Sequence, residues 1–360
     1  MRSRLRVVIG IVLAVATVGG CAGAVAPPAA PKSQQEVLVV GHRGASAYRP
    51  EHTLAAYELA ARMGADYIEP DLVITSDGVL VTRHEPEISG TTDVAEHPEF
   101  AARRTTKTID GTAFTGWFTE DFTLAELKTL RAKERIPAVR RENAAFDGRF
   151  EIATFAEVLD LRARLSAELH REIGVYPETK HPSWFASIGM PLEPKLVDAL
   201  TAAGLNRAGA PVFVQSFETG NLRALHRELA VPLVQLLSAQ GSPVGDTRTY
   251  ADLTTPAGLA DIATYAAGIA PEKNQVIGRD SAGNLGQPTS LVTDAHAAGL
   301  TVTPYTFRPE NQFLPANLRV GASPADHGNL AAEYQAFFEA GVDGVFADAP
   351  DTAVAARNAR

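Results

Sequence analysis

The chain has 360 residues, 45% of them hydrophobic and 21% charged, a composition that supports a sizeable buried core and excludes disorder as the main state. Its 33 Lys and Arg stand against 42 Asp and Glu, a formal charge of -9, so the basic footprint that neutralises nucleic-acid phosphates is missing and no nucleic-acid partner is expected. A single cysteine excludes an internal disulfide and Cys-rich zinc or iron–sulfur sites, which leaves oxygen or imidazole ligands for any metal.

Residues 1–20 read as a secretory signal: Arg2, Arg4 and Arg6 precede an uncharged, largely apolar run over 7–18. At about 1.5 Å per residue that run is too short to cross a roughly 30 Å hydrocarbon layer. Cys21 follows Val18-Gly19-Gly20, and the run resembles the lipobox of bacterial lipoproteins, in which the cysteine is lipidated and becomes the first residue. This implies an extracytoplasmic protein, periplasmic or at a bacterial membrane, that meets the bilayer only through a lipid on Cys21; an ordinary cleaved signal is the alternative. Residues 21–35, rich in Ala and Pro, read as an extended tether, and the folded domain is expected over 36–360. No later run of eighteen apolar residues predicts another span.

From residue 37 short β-rich runs alternate with amphipathic, alanine-rich ones, the signature of repeated βα units around a parallel sheet. Candidate strands cover 37–40, 67–73, 174–177, 212–215, 233–237, 268–270, 300–305 and 344–347. Eight strands suit a closed barrel; against an open doubly wound sheet, no Gly-rich dinucleotide fingerprint follows the first strand. A helix opening near Thr53 is expected to end at Gly64, where a left-handed cap costs glycine little. Thr123-Leu124-Ala125-Glu126 and Thr154-Phe155-Ala156-Glu157 match the capping box and predict helices after each. The stretch 86–149 breaks the alternation, being polar and rich in Thr and Arg with one clear helix after Thr123; it reads as a small insertion on the barrel top, short of apolar residues for a core of its own.

Glu69 and Asp71 flank Pro70 near a strand end, and a period of two turns both carboxylates to one face. Like charges there repel, and a hard divalent cation, Ca²⁺ or Mg²⁺, is the simplest remedy; solvated acids are the alternative. Glu178-Thr179-Lys180 repeats the geometry with a carboxylate and an ammonium, which alone would suit a rim salt bridge. A third carboxylate at Glu178 would complete a cation site together with water or substrate oxygens. His42 and Arg43 close the first strand, and His84 lies just beyond an extended run over 79–82. Two histidines at barrel strand ends suit a general base and a general acid, with hydrogen-bonded structural roles as the alternative. Zinc is disfavoured, because no H-x-H or H-E-x-x-H spacing occurs. The remaining histidines, among them His97, His170, His226, His296 and His327, fall in helical or polar segments and read as structural.

Together these motifs resemble the glycerophosphodiester phosphodiesterase family, specifically its periplasmic class. Gly41-His42-Arg43-Gly44-Ala45 followed by Pro50-Glu51-His52-Thr53-Leu54 looks like the opening signature, Glu69-Pro70-Asp71 like the metal-binding E-x-D, Arg83-His84 like the second histidine and Tyr176-Pro177-Glu178-Thr179-Lys180 like the E-x-K. Val214-Gln215-Ser216-Phe217, Pro304-Tyr305-Thr306 and the run from Gly341 through Val342-Asp343-Gly344-Val345 to Phe346 continue the likeness, which spans about residues 37–350. The resemblance implies a TIM (β/α)8 barrel with its insertion on the C-terminal face. It also implies hydrolysis of a small glycerophosphodiester to sn-glycerol 3-phosphate and an alcohol. His42 is then the base that deprotonates the glycerol 2-hydroxyl for internal attack on phosphorus, and His84 the acid that protonates the leaving alcohol. Glu69, Asp71 and Glu178 hold Ca²⁺, with Mg²⁺ second, while Arg43 and Lys180 bind the substrate phosphate. A related barrel phospholipase and an anchored phosphodiester-binding protein are the rival readings; two proton-transfer histidines beside three carboxylates favour an enzyme. The chain departs from the broad family at His52, where Asn is usual although the periplasmic class often carries His, and at Glu85, where Asp is favoured. Neither residue is expected to touch a proposed catalytic group.

Overall fold

Two side-chain layers, apolar below and polar above, line the inside of a ring of parallel strands in the computed structural model, which describes residues 36–360. The expected signal, Cys21 and the tether lie outside the described residues. The barrel strands are β1 (Leu38–His42), β2 (Tyr67–Glu69, resumed after Pro70 as Asp71–Ile74), β3 (Gly174–Val175, resumed as Glu178–Thr179), β4 (Val214–Ser216), β5 (Leu233–Leu237), β6 (Gly268–Pro271), β7 (Thr301–Val302) and β8 (Gly344–Ala347). Each pairs in parallel with its sequence neighbour, from Val40 opposite Tyr67 round to Gly268 opposite Thr301. The ring closes twice over: β8 pairs with β1 through Leu38 opposite Gly344, and the Asp343 and Phe346 N–H groups donate to the Val302 and Pro304 carbonyls at 2.8 and 3.1 Å. All eight expected strands therefore occur, in a closed (β/α)8 barrel rather than an open sheet.

Strand bounds differ where proline intervenes. Pro70 has no N–H and splits β2, yet its carbonyl still accepts from the Glu178 N–H at 2.9 Å, so the sheet is continuous. The run expected as a strand over 300–305 pairs regularly only at Thr301–Val302, ahead of Pro304.

Helices cover the outside of the ring. Thr53 caps α1 (Leu54–Arg62), its hydroxyl accepting from the Ala56 N–H at 3.1 Å, and Gly64 follows at φ +97°. Both expected capping boxes form: the one at Thr154 opens α2 (Phe155–Glu168), whereas the one at Thr123 opens a single turn, Leu124–Leu127. Outward strand residues such as Val39 and Ile68 pack against these helices, while Val40, Tyr176, Val234, Leu236, Ala270 and Phe346 fill the barrel interior.

The stretch 86–149 holds more structure than a single helix. It contains a hairpin, Thr105–Ile109 paired with Thr112–Gly116, and short helical turns at Val94–Glu96, Pro98–Arg103, Thr119–Asp121 and Arg141–Ala144. The hairpin is largely exposed, so it carries no apolar alternation; its sequence signal is Asp110-Gly111, both at positive φ (+49° and +81°) as a tight two-residue turn requires.

Candidate active site

The strand period builds the site. In or directly beside β1, β2, β3 and β4 an inward apolar residue, Val40, Tyr67, Tyr176 or Phe213, is followed two positions later by His42, Glu69, Glu178 or Gln215, and Phe346 of β8 is followed in the same way by Asp348. Each polar group thus sits one layer above the barrel core, at the C-terminal mouth where such barrels place chemistry.

Glu69, Asp71 and Glu178 are all buried and can bring one oxygen each within 4.8 Å of the others. Two like charges at that spacing repel by about 3 kcal/mol at an effective dielectric constant of 20, so three ionised carboxylates do not coexist there unaided. The protein compensates only in part. Burial, then Asp71 and Glu178, push the Glu69 carboxyl well up; burial pushes Glu178 to about 8, although Lys180 opposes it with Nζ at 2.8 Å. Asp71 goes the other way, because Lys180 and His52 outweigh its burial. Glu69 accepts from the Arg43 backbone N–H at 2.7 Å and from Gln215 Nε2 at 3.1 Å. Asp71 Oδ1 is buried with no hydrogen-bond partner among the described residues. An orphaned carboxylate oxygen beside two carboxyls held up by burial is the donor set of a hard cation, so these residues fit a metal.

Arg43 and His52 reach this cluster from left-handed backbone, at φ +57° and +59°. Such a conformation costs a non-glycine residue roughly 1–2 kcal/mol, and its recurrence at the site marks a backbone shaped for function. Gly44, at φ +90°, admits no other residue: a β carbon there would lie 2.5 Å from the Ala56 carbonyl carbon. Arg43 Nη1 pairs with Glu51 at 3.1 Å while Nε lies 3.6 Å from Asp71. The fully buried His52 donates from Nε2 to Asp71 Oδ2 at 2.9 Å and accepts at Nδ1 the hydrogen bond that the Tyr57 hydroxyl donates, 2.8 Å away. Burial lowers its pKa, which keeps it neutral in that tautomer.

The two histidines are each oriented by a carboxylate. His42 Nδ1 donates to Asp348 Oδ1 at 2.6 Å, and Asp348 is itself held by Arg140 at 2.6 Å and Arg308 at 3.1 Å. Burial and the Arg43 charge lower His42 to about 4 despite Asp348, so at neutral pH its Nε2 carries a free lone pair. His84 Nδ1 donates to Glu85 Oε1 at 2.6 Å, and Arg135 clamps Glu85 and Glu51 together with contacts of 2.6 to 2.9 Å. Burial, Arg43 and Lys180 lower His84 to about 3. Here the sequence-based expectation fails at one of the two departures from the broad family: Glu85 touches His84, the proposed acid, while His52 touches Asp71, a proposed metal ligand.

All seven residues singled out in the sequence meet at this mouth. His42, Arg43, Glu69, His84, Glu178 and Lys180 line one cavity of about 110 Å³ with Gln215, Phe217, Leu236, Tyr305 and Phe346, and Asp71 lies beneath, joined to Arg43 and His52. Sequence reasoning missed Asp348, Arg308, Gln215, Glu51, Arg135 and Arg140. Asp348 and Gln215 were findable from the period of two after Phe346 and Phe213; Arg135 and Arg140 come from the insertion, where no local pattern marks them. Of the five histidines read as structural, His97 and His296 pair with carboxylates outside this cavity, and none of the five lines it.

The profile of the glycerophosphoryl diester phosphodiesterase family matches residues 42–352. A glycerophosphodiester phosphodiesterase of Arabidopsis thaliana is 36% identical over 323 residues, covering 86% of this chain and 82% of its own length. One of Haemophilus influenzae is 27% identical over 368 residues and covers 95% of both chains. Among solved structures, an Oleispira antarctica phosphodiesterase in complex with the product sn-glycerol-3-phosphate superposes with a TM-score of 0.55 at 21% identity, over 90% of this chain and 97% of that one, a likeness of fold. With the family profile spanning the barrel from His42 onward and the Arabidopsis relative matching most of both chains, the chain belongs to the glycerophosphodiester phosphodiesterase family of enzymes.

Proposed function

We propose that this chain hydrolyses glycerophosphodiesters to sn-glycerol 3-phosphate and an alcohol, with His42 as general base, His84 as general acid, and Glu69, Asp71 and Glu178 as ligands of a divalent cation, Ca²⁺ first and Mg²⁺ second. The observation that carries the reading is the shared cavity, in which both histidines, two of the carboxylates, Arg43 and Lys180 face one space. When bound, a divalent cation supplies charge neutralisation and polarisation of the phosphoryl oxygens.

The protein's own groups do the rest. Arg43 and Lys180 bind the anionic phosphodiester and oppose the charge that develops on it. His42 Nε2, its other nitrogen committed to Asp348, takes the proton of the glycerol 2-hydroxyl as that oxygen attacks phosphorus. The His84 pKa, depressed by burial and by Arg43 and Lys180, rises once the substrate anion neutralises those two cations. Protonated His84, with Nδ1–H on Glu85, presents Nε2–H to the leaving oxygen. Water then opens the cyclic phosphate with the two roles reversed, giving sn-glycerol 3-phosphate. The run ending in Cys21 supports attachment of this enzyme to the outer face of a bacterial membrane through a lipid.

The test is release of glycerol 3-phosphate from glycerophosphocholine with and without chelator. No release under either condition removes the enzymatic reading and leaves a binding protein. Release that chelator leaves untouched removes the cation.

A further inference from the structure

Arg135, from the insertion, places one guanidinium on two carboxylates at once. Its Nε and Nη2 donate to Glu51 at 2.8 and 2.6 Å, and its Nη1 and Nη2 donate to Glu85 at 2.9 and 2.8 Å, a double fork that a planar guanidinium can make and an ammonium cannot. The two carboxylates serve different groups. Glu85 has no hydrogen-bond partner besides Arg135 and His84 among the described residues, whereas Glu51 also accepts from Arg43 Nη1 at 3.1 and 3.3 Å. A chain of charge-assisted hydrogen bonds thus runs from His84 through Glu85, Arg135 and Glu51 to Arg43, and the insertion supplies its middle member. Further along the same segment Arg140 donates to Asp348 at 2.6 Å, and Asp348 holds His42. The backbone between the two arginines turns tightly, the Val139 and Arg140 N–H groups both donating to the Ile136 carbonyl at 2.9 and 3.0 Å. Arg140 Nη1 and Asn143 Nδ2 fasten that turn to the Ser46 carbonyl, in the loop after β1, at 2.9 and 3.0 Å. Arg135 and Arg140 face His42 and Arg43 across one cavity of about 200 Å³.

We propose that Arg135 is a positioning residue that acts through Glu85 on His84, and that the segment from Arg135 to Arg140 braces the acid and the base by two separate arms. The inference rests on the proposed acid role of His84. The Glu85 side chain is 25% exposed, so without Arg135 only its bond to His84 keeps it from turning to water, and the imidazole loses its fixed orientation with it. Glu51 differs, because Arg43 still holds it when Arg135 is gone. Loss of Arg135 therefore falls first on the acid and less on the phosphate-binding arginine. The Arg135 side chain is itself 31% exposed and stands outside the apolar core, so its removal opens no void there. Arg140 is the other arm, and its hold on Asp348 bears on the base alone.

The experiment measures kcat/KM, by release of the alcohol, for wild type, Arg135→Met and Arg140→Met on glycerophosphocholine and on the p-nitrophenyl diester of glycerol 3-phosphate, whose leaving group needs little protonation. Arg135→Met should lose on the order of tenfold on the choline diester, part of the roughly 10² to 10⁴-fold that a general acid supplies, and should recover most of it on the p-nitrophenyl diester. Arg140→Met, which reaches the base, should lose equally on both. In a Glu85→Gln background the Arg135 substitution should add little, because effects exerted through a shared partner are not additive. Thermal melting identifies a variant that has lost its fold; Arg135→Lys, which keeps the charge without the fork, then carries the same comparison with a smaller loss. Losses at Arg135 that are equal for the two leaving groups, or that add in full to Glu85→Gln, overturn the proposal, and a loss at Arg140 that depends on the leaving group overturns the separation of the arms. Choline release that survives His84→Ala fails the acid role of His84 instead, a separate outcome.

Discussion

His42 Nδ1 and Asp348 Oδ1 lie 2.6 Å apart although 306 residues separate them, because β1 and β8 are the two strands that close the barrel. Asp348 holds the imidazole in the tautomer that leaves Nε2 free, and Arg140 and Arg308 keep Asp348 ionised despite its burial. Replacing Asp348 by Asn keeps the volume but no longer demands the Nδ1 proton. The variant should lose on the order of 10²-fold in kcat with KM little changed, measured by glycerol 3-phosphate release. Wild-type turnover would remove Asp348 from the orientation of His42.

The low pKa of His42 makes a pH prediction. Folded, the group titrates near 4 rather than at 6.5, so between those values the unfolded chain binds the extra proton and stability falls as pH falls. The loss is complete for this group once the pH passes below about 4, and the 2.5-unit gap corresponds to on the order of 3 kcal/mol. In kcat/KM, the acid limb set by the free base should lie near 4, leaving substantial activity at pH 5.5. A limb at 6.5 would contradict the proposed electrostatics of His42.

Chelator-treated protein should gain stability when Ca²⁺ returns, by about 2.7 kcal/mol at a hundredfold excess over Kd. Thermal melting reads this without any turnover. Asp71→Asn should lose most of the gain, since Asp71 brings the unpartnered buried oxygen. A gain that survives in that variant would place the ion elsewhere.

His84→Ala should cost about 10² to 10⁴-fold in kcat on natural diesters. The deficit should shrink when p-nitrophenol is the leaving group, because a low-pKa alcohol departs with less protonation. Rescue that fails to appear would argue that His84 does something other than protonate the leaving oxygen.

Wild type and Cys21→Ser, expressed in a bacterium that processes lipoproteins, should separate on fractionation, the first with membranes and the second soluble outside the cytoplasm. A lipoprotein cysteine carries several acyl chains, and several are needed because one myristoyl-length chain binds only reversibly. Identical soluble release of both would rule out the anchor and leave the catalytic reading standing.

The barrel and the groups at its mouth are legible in the order of residues along the chain. Strand alternation is local, so Glu69 and Asp71 two positions apart, Glu178 and Lys180 two apart, and His42 at the end of an apolar run announce a common face before any folding is considered. How those groups are tuned depends on contacts that form only on folding. Asp348 reaches His42 only when the first and last strands meet, Arg135 and Arg140 reach Glu85 and Asp348 only when the insertion folds over the mouth, and Asp110 meets His181 only because an exposed hairpin carries it there. The difference lies in range: side-chain periodicity is written into neighbouring residues, whereas the partner that fixes a tautomer or shifts a pKa is set by contacts between distant segments, which leave no period in the chain.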